Sequence, residues 1–227
     1  MAAEIQMAKT AEEVKTDVVN EMRADSRVDA SRVMVSVDEG VVTLRGSVPT
    51  YGARTAAELD AWSIIGVVRV DDQLIVEMPA YPPAPHDETL LDNARKSLEW
   101  NSDVDSTNVT VDVDAGAVTL TGTVPSHWEK GRAEELVGQL RGVIAVDNQL
   151  AVVPTERLSD EAIAQEVVDA LDRNAAVNLP DVDVSVSDGY VTLGGRVGSG
   201  AERDAATWIA GRIAGVVSVE NELAINP

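Results

Sequence analysis

A glycine-centred hairpin decides the fold: Asp38-Glu39-Gly40-Val41-Val42-Thr43-Leu44-Arg45-Gly46-Ser47-Val48. It recurs 76 residues later as Asp114-Ala115-Gly116-Ala117-Val118-Thr119-Leu120-Thr121-Gly122-Thr123-Val124. After a further 73 residues it returns as Ser187-Asp188-Gly189-Tyr190-Val191-Thr192-Leu193-Gly194-Gly195-Arg196-Val197. A second string keeps both offsets, beginning Gly66-Val67-Val68, Gly142-Val143-Ile144 and Gly215-Val216-Val217. Repetition of two strings at the same offsets indicates three copies of one unit.

The repeats and the prolines between them define the domain boundaries. We expect an N-terminal tail over residues 1–10, then units over 11–78, 87–153 and 159–227. A proline-rich linker, 79–86, joins the first two units, and a shorter linker, 154–158, joins the last two.

Each unit shows the same order of predicted elements. Apolar residues four apart predict a first helix, strict alternation of valines predicts a strand, and the hairpin string supplies the return strand. A second helix is predicted over about 51–65, 127–141 and 200–214, and a third strand closes each unit. Thr10, Asp87 and Ser159 are expected as N-caps of the three first helices.

This order predicts an α+β fold of three tandem αββαβ modules, each a three-stranded sheet with two helices packed on one face. The second and third strands are joined by a helical crossover, so they should run parallel and the sheet should be mixed. Modules this small, with no phenylalanine in the chain, bury limited apolar surface. We therefore expect them to pack on one another or on a second chain.

Two sets of repeated residues are interpreted as structural. Asp72, Asn148 and Asn221 are polar residues at core positions of the third strand, which predicts a bulge or a side chain bonded to backbone rather than a ligand site. Glycines at the hairpins and after the second helices are expected where the backbone requires them. They are Gly40, Gly46 and Gly66, with Gly116, Gly122 and Gly142, and Gly189, Gly195 and Gly215.

Composition excludes several classes of chemistry. The 227 residues contain no cysteine and two histidines, which removes disulfides, thiol catalysis and multi-histidine metal sites. Ser126 precedes His127, but adjacency in sequence does not aim two side chains at each other. We predict no catalytic residues, no cofactor and no enzymatic activity. The formal charge of −21 is spread over all three units and repels nucleic acid.

Cation binding stays open. Pairs of carboxylates provide oxygen atoms, but none has the spacing of a calcium-binding EF-hand loop, and solvated turn residues are the favoured interpretation. These pairs are Asp71 with Asp72, Asp103 with Asp105, Asp112 with Asp114, and Asp181 with Asp183.

The start of the chain, residues 1–10, has no basic segment followed by an apolar one, and no stretch is long and apolar enough to span a membrane. We expect a cytoplasmic protein, or a periplasmic one if a leader was removed.

The glycine hairpin, the Val-Thr-Leu-x-Gly-x-Val pattern and the closing Gly-Val-x-x-Val-x-Asn-x-Leu pattern resemble the BON domain family, in an OsmY-like tandem form. The resemblance covers nearly the whole chain three times. It implies a non-catalytic αββαβ module that binds membranes or other envelope components and is linked to osmotic or envelope stress. Some relatives bind anionic phospholipid and some protect proteins.

The aromatic residues at the start of the second helix are the predicted contacts for a lipid or a protein partner: Tyr51, His127 and Trp128. We interpret the chain as a non-enzymatic, stress-associated binding or scaffolding protein that self-associates or binds a protein partner. The alternatives are a peripheral phospholipid-binding protein and a module responsive to potassium or calcium.

Overall fold

The computed structural model describes residues 9–78, 83–155, 158–174 and 182–225. Most of the predicted tail (1–8), part of the proline-rich linker (79–82), residues 156–157 of the short linker and Asp181 lie outside the described residues.

All three modules contain the predicted elements. Module one has α1 (Ala11–Ala24), β1 (Val33–Asp38), β2 (Val41–Val48), α2 (Tyr51–Trp62) and β3 (Arg69–Val76). Module two has α3 (Asp87–Glu99), β4 (Val109–Asp114), β5 (Ala117–Val124), α4 (His127–Gly138), β6 (Ala145–Asn148) and β7 (Ala151–Val152). Module three has α5 (Asp160–Asp172), β8 (Val182–Ser187), β9 (Tyr190–Val197), α6 (Gly200–Gly211), β10 (Ser218–Asn221) and β11 (Ala224–Ile225).

The hairpin return strand is central in each sheet. In module one, β2 pairs antiparallel with β1 and parallel with β3. Strands β5 and β9 have the same two kinds of neighbour in modules two and three. The predicted mixed sheets and the predicted α+β class are therefore confirmed.

One face of each sheet carries both helices. In module one the inward residues of β2, such as Leu44, are fully buried against Val18 and Met22 of α1 and Ala57 of α2. Modules two and three repeat this arrangement around Leu120 and Leu193. Each module thus has a core of its own, built from aliphatic side chains.

Two predictions about helix ends are corrected. The second helices stop about three residues early, because a tight turn in which Ile64 N–H donates to the Ala61 carbonyl replaces the last helical turn. The N-cap of α3 is His86, not Asp87. Thr10 and Ser159 are N-caps as predicted, and each accepts a hydrogen bond from a backbone N–H of its helix.

The third strand is interrupted in modules two and three without a change of register. Asn148 pairs with Leu120 and Ala151 pairs with Thr123, so equal numbers of residues separate the two pairs on each strand. The interruption is therefore not a bulge, which would add a residue to one strand.

Candidate functional site at the junctions of the second helices

The three second helices begin at equivalent residues. Thr50, Ser126 and Ser199 cap α2, α4 and α6, and each side chain accepts a hydrogen bond from a backbone N–H three residues on. The first helical residues are Tyr51, His127 and Gly200, and the last are Trp62, Gly138 and Gly211. These six positions lie at the centre of the contacts between modules.

The start of α2 packs on the end of α4. The Tyr51 ring lies against Gly138 and joins the core of module two, while its hydroxyl donates to Glu134 Oε1 at 3.0 Å. The Tyr51 backbone N–H donates to the carbonyl of Val143 at 3.4 Å. Burial, followed by the charge of Glu134, raises the pKa of Tyr51 to about 12. The phenol therefore stays neutral in this contact.

The start of α4 packs on the end of α6. A β-carbon at Gly211 would lie 2.8 Å from Cδ2 of His127, so only glycine leaves room for the imidazole there. Burial lowers the pKa of His127, although a hydrogen bond with the backbone of Val217 acts in the opposite direction. His127 Nδ1 is buried with no hydrogen-bond partner in the described part of the chain.

The start of α6 packs on the end of α2. A β-carbon at Gly200 would lie 2.5 Å from the Trp62 carbonyl oxygen and 2.7 Å from Cε3 of its ring. The Arg203 guanidinium lies 5.5 Å from the centre of the Trp62 ring, within cation–π range. Carboxylates of both modules meet here: burial raises the pKa of Asp204, and the charge of Glu58 adds to that rise.

These contacts close a ring within one chain. The start of each second helix meets the end of the second helix of the next module, and module three returns to module one. The small modules therefore pack on one another, as predicted from their size.

A groove separates α4 from α6 beside the second junction. Its volume is about 360 Å³, and its lining includes Trp128, Trp208, Arg132, Glu135 and Asp204. Arg212, at the end of α6, places its guanidinium 4.9 Å from the centre of the Trp128 ring and 4.6 Å from that of Trp208. Trp208 remains 58% exposed. An arginine held between two indoles, one of them exposed, combines the residue types that are enriched at protein interfaces.

The structure separates the three aromatic residues predicted to contact a lipid or partner. Tyr51 and His127 are half-buried against other modules of the same chain. Trp128 borders the groove, with the Arg212 guanidinium over its ring.

The nine predicted structural glycines all have positive φ. At Gly46 a β-carbon would also collide with the carbonyl oxygen of Arg32. The other eight are Gly40, Gly66, Gly116, Gly122, Gly142, Gly189, Gly195 and Gly215.

The three polar residues of the third strand tie that strand to the second helix. Asn148 Oδ1 accepts from the Leu150 backbone N–H, and its Nδ2 donates to the Lys130 carbonyl at 2.8 Å. Asn221 bonds in the same way to Leu223 and to the Arg203 carbonyl. In module one, Asp72 Oδ1 accepts from Leu74 N–H, and Oδ2 lies 2.6 Å from Arg54 Nε. The side chain satisfies the strand N–H in all three modules.

Three of the candidate cation ligands are engaged with protein groups. Asp71 accepts from Gln73, Asp105 caps a short 3₁₀ helix, and Asp103 lies 3.4 Å from Arg132. Within residues 9–78, 83–155, 158–174 and 182–225, no group of three acidic or histidine side chains is arranged to hold a metal ion. In the same residues, no helix combines the length and apolar character needed to cross a bilayer.

The partners of the aromatic residues were not predicted from the sequence. Trp62, Gly138 and Gly211 occupy one position of the repeat, and Tyr51, His127 and Gly200 occupy another. The sequence does contain a signal: wherever one repeat has a large residue at one of these two positions, a different repeat has glycine at the other position. Reading each repeat by itself could not reveal this relationship.

Comparison with known proteins identifies the module. The model of the BON domain matches residues 10–78, 86–154 and 159–227. Osmotically-inducible protein Y of Escherichia coli (strain K12) is 31% identical over 143 residues, which cover 60% of this chain and 71% of that protein.

Two solved structures of CdsD, a structural protein of the type III secretion system of Chlamydia trachomatis, are 15% and 16% identical to the chain, with TM-scores of 0.26 and 0.27. They cover 100% and 93% of this chain, and the chain covers 100% and 91% of theirs. Such low scores add nothing about this chain. Because the three domain matches span nearly all of it, the chain belongs to the BON domain family.

Proposed function

We propose that this chain is a non-enzymatic, stress-associated binding and scaffolding protein, in which three BON modules form one body and the α4–α6 groove binds a protein partner. The observation that carries the proposal is Arg212 held between Trp128 and the exposed Trp208. Tryptophan and arginine dominate binding energy at protein interfaces when they surround a cleft. Here both are ordered before any partner arrives, which lowers the entropic cost of binding.

The net charge of the whole chain indicates the chemistry of that partner. A net charge of −21 attracts cationic surfaces, while in the groove wall Glu135 is paired with Arg132 at 2.6 Å and Asp204 adds a second carboxylate. The indoles provide apolar contact area in the same place. The groove therefore suits a basic segment with apolar residues on one face.

A model peptide tests this proposal directly. We would titrate the full chain with an amphipathic helical peptide of lysine and leucine by isothermal calorimetry, and with a glutamate–leucine peptide as its charge-reversed counterpart. Trp208→Ala should weaken binding of the basic peptide at least roughly tenfold, since truncation of an interface tryptophan costs ~2 kcal/mol or more. Trp100→Ala removes another exposed indole, 81% exposed and outside the groove lining, and should bind like the wild type. Equal affinity of Trp208→Ala and wild type would rule out the groove.

Self-association is the second candidate, favoured by the outer face of the module-one sheet. Met34 and Ile75 point away from the core there and are 66% and 63% exposed. Sedimentation velocity over a hundredfold concentration range tests it, and Met34→Ser with Ile75→Ser should abolish any dimer. Salt should strengthen a dimer, because the negative charges of two copies repel each other.

The phospholipid and cation alternatives have separate readouts. Sedimentation with anionic vesicles that is lost on Trp128→Ala would favour a membrane surface over a protein partner. An acidic chain is repelled by anionic headgroups, so we expect no sedimentation. A melting temperature that responds to potassium or calcium, but not to sodium or magnesium at matched ionic strength, would favour the cation alternative.

The association with stress comes from the relative. Osmotically-inducible protein Y is 31% identical in the matched region, and its name describes induction by osmotic change. We expect the amount of this protein to rise in its source cells after an osmotic upshift, measured by quantitative immunoblotting. An unchanged level would remove the stress association and leave the binding proposal intact.

A further inference from the structure

We infer that the ends of the second helices are a module-recognition surface, and that one aromatic–glycine pair per junction sets which module binds which. The three pairs are Tyr51 with Gly138, His127 with Gly211, and Trp62 with Gly200. In the first two pairs the aromatic ring lies at the helix start, and in the third it lies at the helix end.

Space, rather than backbone conformation, requires glycine at these junctions. Gly138, Gly200 and Gly211 lie in helices and are absent from the glycines with positive φ. A β-carbon at each would lie 2.5–2.8 Å from the facing residue. Gly131, in the same helix as Gly138, has no atom within 4 Å of such a carbon.

The reverse order of the three modules, and rings made only of module one or only of module three, mismatch. In the reverse order, the start of each second helix would meet the end of the second helix of the preceding module. His127 would then face Trp62, which is a collision, and Gly200 would face Gly138, which leaves a void. A ring made only of module one would place Tyr51 against Trp62, and a ring made only of module three would place Gly200 against Gly211. Overpacking and cavities are both destabilising. The observed order is the cyclic order of the three different modules in which every aromatic ring meets glycine.

Polar contacts distinguish two of the junctions. Tyr51 donates to Glu134 at the junction of modules one and two, and the Arg203 guanidinium lies over the Trp62 ring at the junction of modules three and one. These groups differ between junctions, so they reinforce the same pairing that the ring–glycine contacts select.

A size exchange in the full chain tests the inference. Gly138→Tyr should open the junction between modules one and two, raising the radius of gyration by small-angle X-ray scattering by roughly 10% or more. Tyr51→Gly alone should loosen it. The double variant Tyr51→Gly with Gly138→Tyr should return the radius to the wild-type value, because the three atoms nearest to a β-carbon at position 138 all belong to the Tyr51 side chain.

The controls separate recognition from folding. Gly131→Tyr introduces the same bulk into a second helix at a position that lines the open α4–α6 groove, where a β-carbon meets no atom within 4 Å, and should leave the radius unchanged. Far-ultraviolet circular dichroism checks that the modules themselves stay folded. An unchanged radius in Gly138→Tyr, or a double variant as expanded as Gly138→Tyr alone, would overturn the inference.

Discussion

Asp87 Oδ1 accepts a hydrogen bond of 3.0 Å from the backbone N–H of Gly116, which links the first turn of α3 to the tip of the β4–β5 hairpin. Its other oxygen accepts from Ala115 N–H at 2.8 Å. Asp160 makes the same two bonds to the hairpin of module three. Module one has Ala11 at this position and lacks the link.

Ala11→Asp should therefore stabilise module one. A carboxylate there would accept from the N–H groups of Glu39 and Gly40 and would also suit the N-terminus of α1, together worth about 1 kcal/mol. Amide hydrogen exchange of the β1–β2 hairpin measures the gain within one module. Asp87→Ala is the matched reverse change and should speed exchange in the β4–β5 hairpin. Unaltered exchange in both variants would contradict the prediction.

Asp60, by contrast, is a buried carboxylate that destabilises module one when it is charged. It is 8% exposed, its Oδ2 has no hydrogen-bond partner among the described residues, and Leu136 and Ile209 occupy its place in the other modules. Burial, with the charge of Asp25 adding to it, raises its pKa from 3.8 to about 6, while Arg27 acts against the rise. The protonated form is therefore the better tolerated one.

The pH dependence follows from that direction. The pKa is higher in the folded state, so the stabilisation from protonated Asp60 is complete below pH 3.8 and is lost as the pH rises through about 6. Asp60→Leu should make module one more stable by about 2 kcal/mol at pH 8 and change little at pH 4. Urea unfolding at the two pH values measures this difference. A gain that is equal at both would show that packing, not charge, causes it.

His127 should give the junction between modules two and three the reverse dependence. Burial lowers its pKa below the ordinary 6.5, so the folded junction favours the neutral ring. Stability is then present above pH 6.5 and falls as acidification passes through the lowered pKa. Lys130, whose charge also lowers this pKa, favours the neutral form further.

His127→Tyr places at this junction the residue that Tyr51 provides against Gly138. The melting temperature of this variant should fall less than that of the wild type between pH 7.5 and pH 5. Asp60 is present in both proteins and cancels in the comparison. An equal fall in the melting temperatures of the two proteins would exclude His127 as the source of the acid sensitivity.

Asp72 should tolerate asparagine better than alanine. Asn148 and Asn221 satisfy the same strand N–H with Oδ1, and each donates from Nδ2 to a carbonyl of the second helix. Asp72→Asn is expected to change stability by less than about 1 kcal/mol, because the hydrogen bond to Leu74 survives. Asp72→Ala leaves that N–H and Arg54 without their acceptor and should cost about 2 kcal/mol. Chemical denaturation of both variants decides between these roles.

The fold could be predicted closely because its signals are local and occur three times. Alternating valines, the glycine hairpin and apolar residues four apart each specify one element within one repeat. The orientation of the modules could not be predicted in this way, since Trp62 and Gly200 are far apart in sequence and belong to different repeats. Asp87 shows the same limit on a smaller scale: its position suggested a helix cap, and its partners lie in a hairpin 28 and 29 residues away.

The closed cycle of second helices also means that the polypeptide has no structural first module. A circular permutation that starts the chain at module two and joins module three to module one through a new linker leaves every aromatic–glycine pair in place. Peptide connectivity and spatial neighbourhood are thus specified by different residues, the linkers and the helix ends, and each can change during evolution without the other.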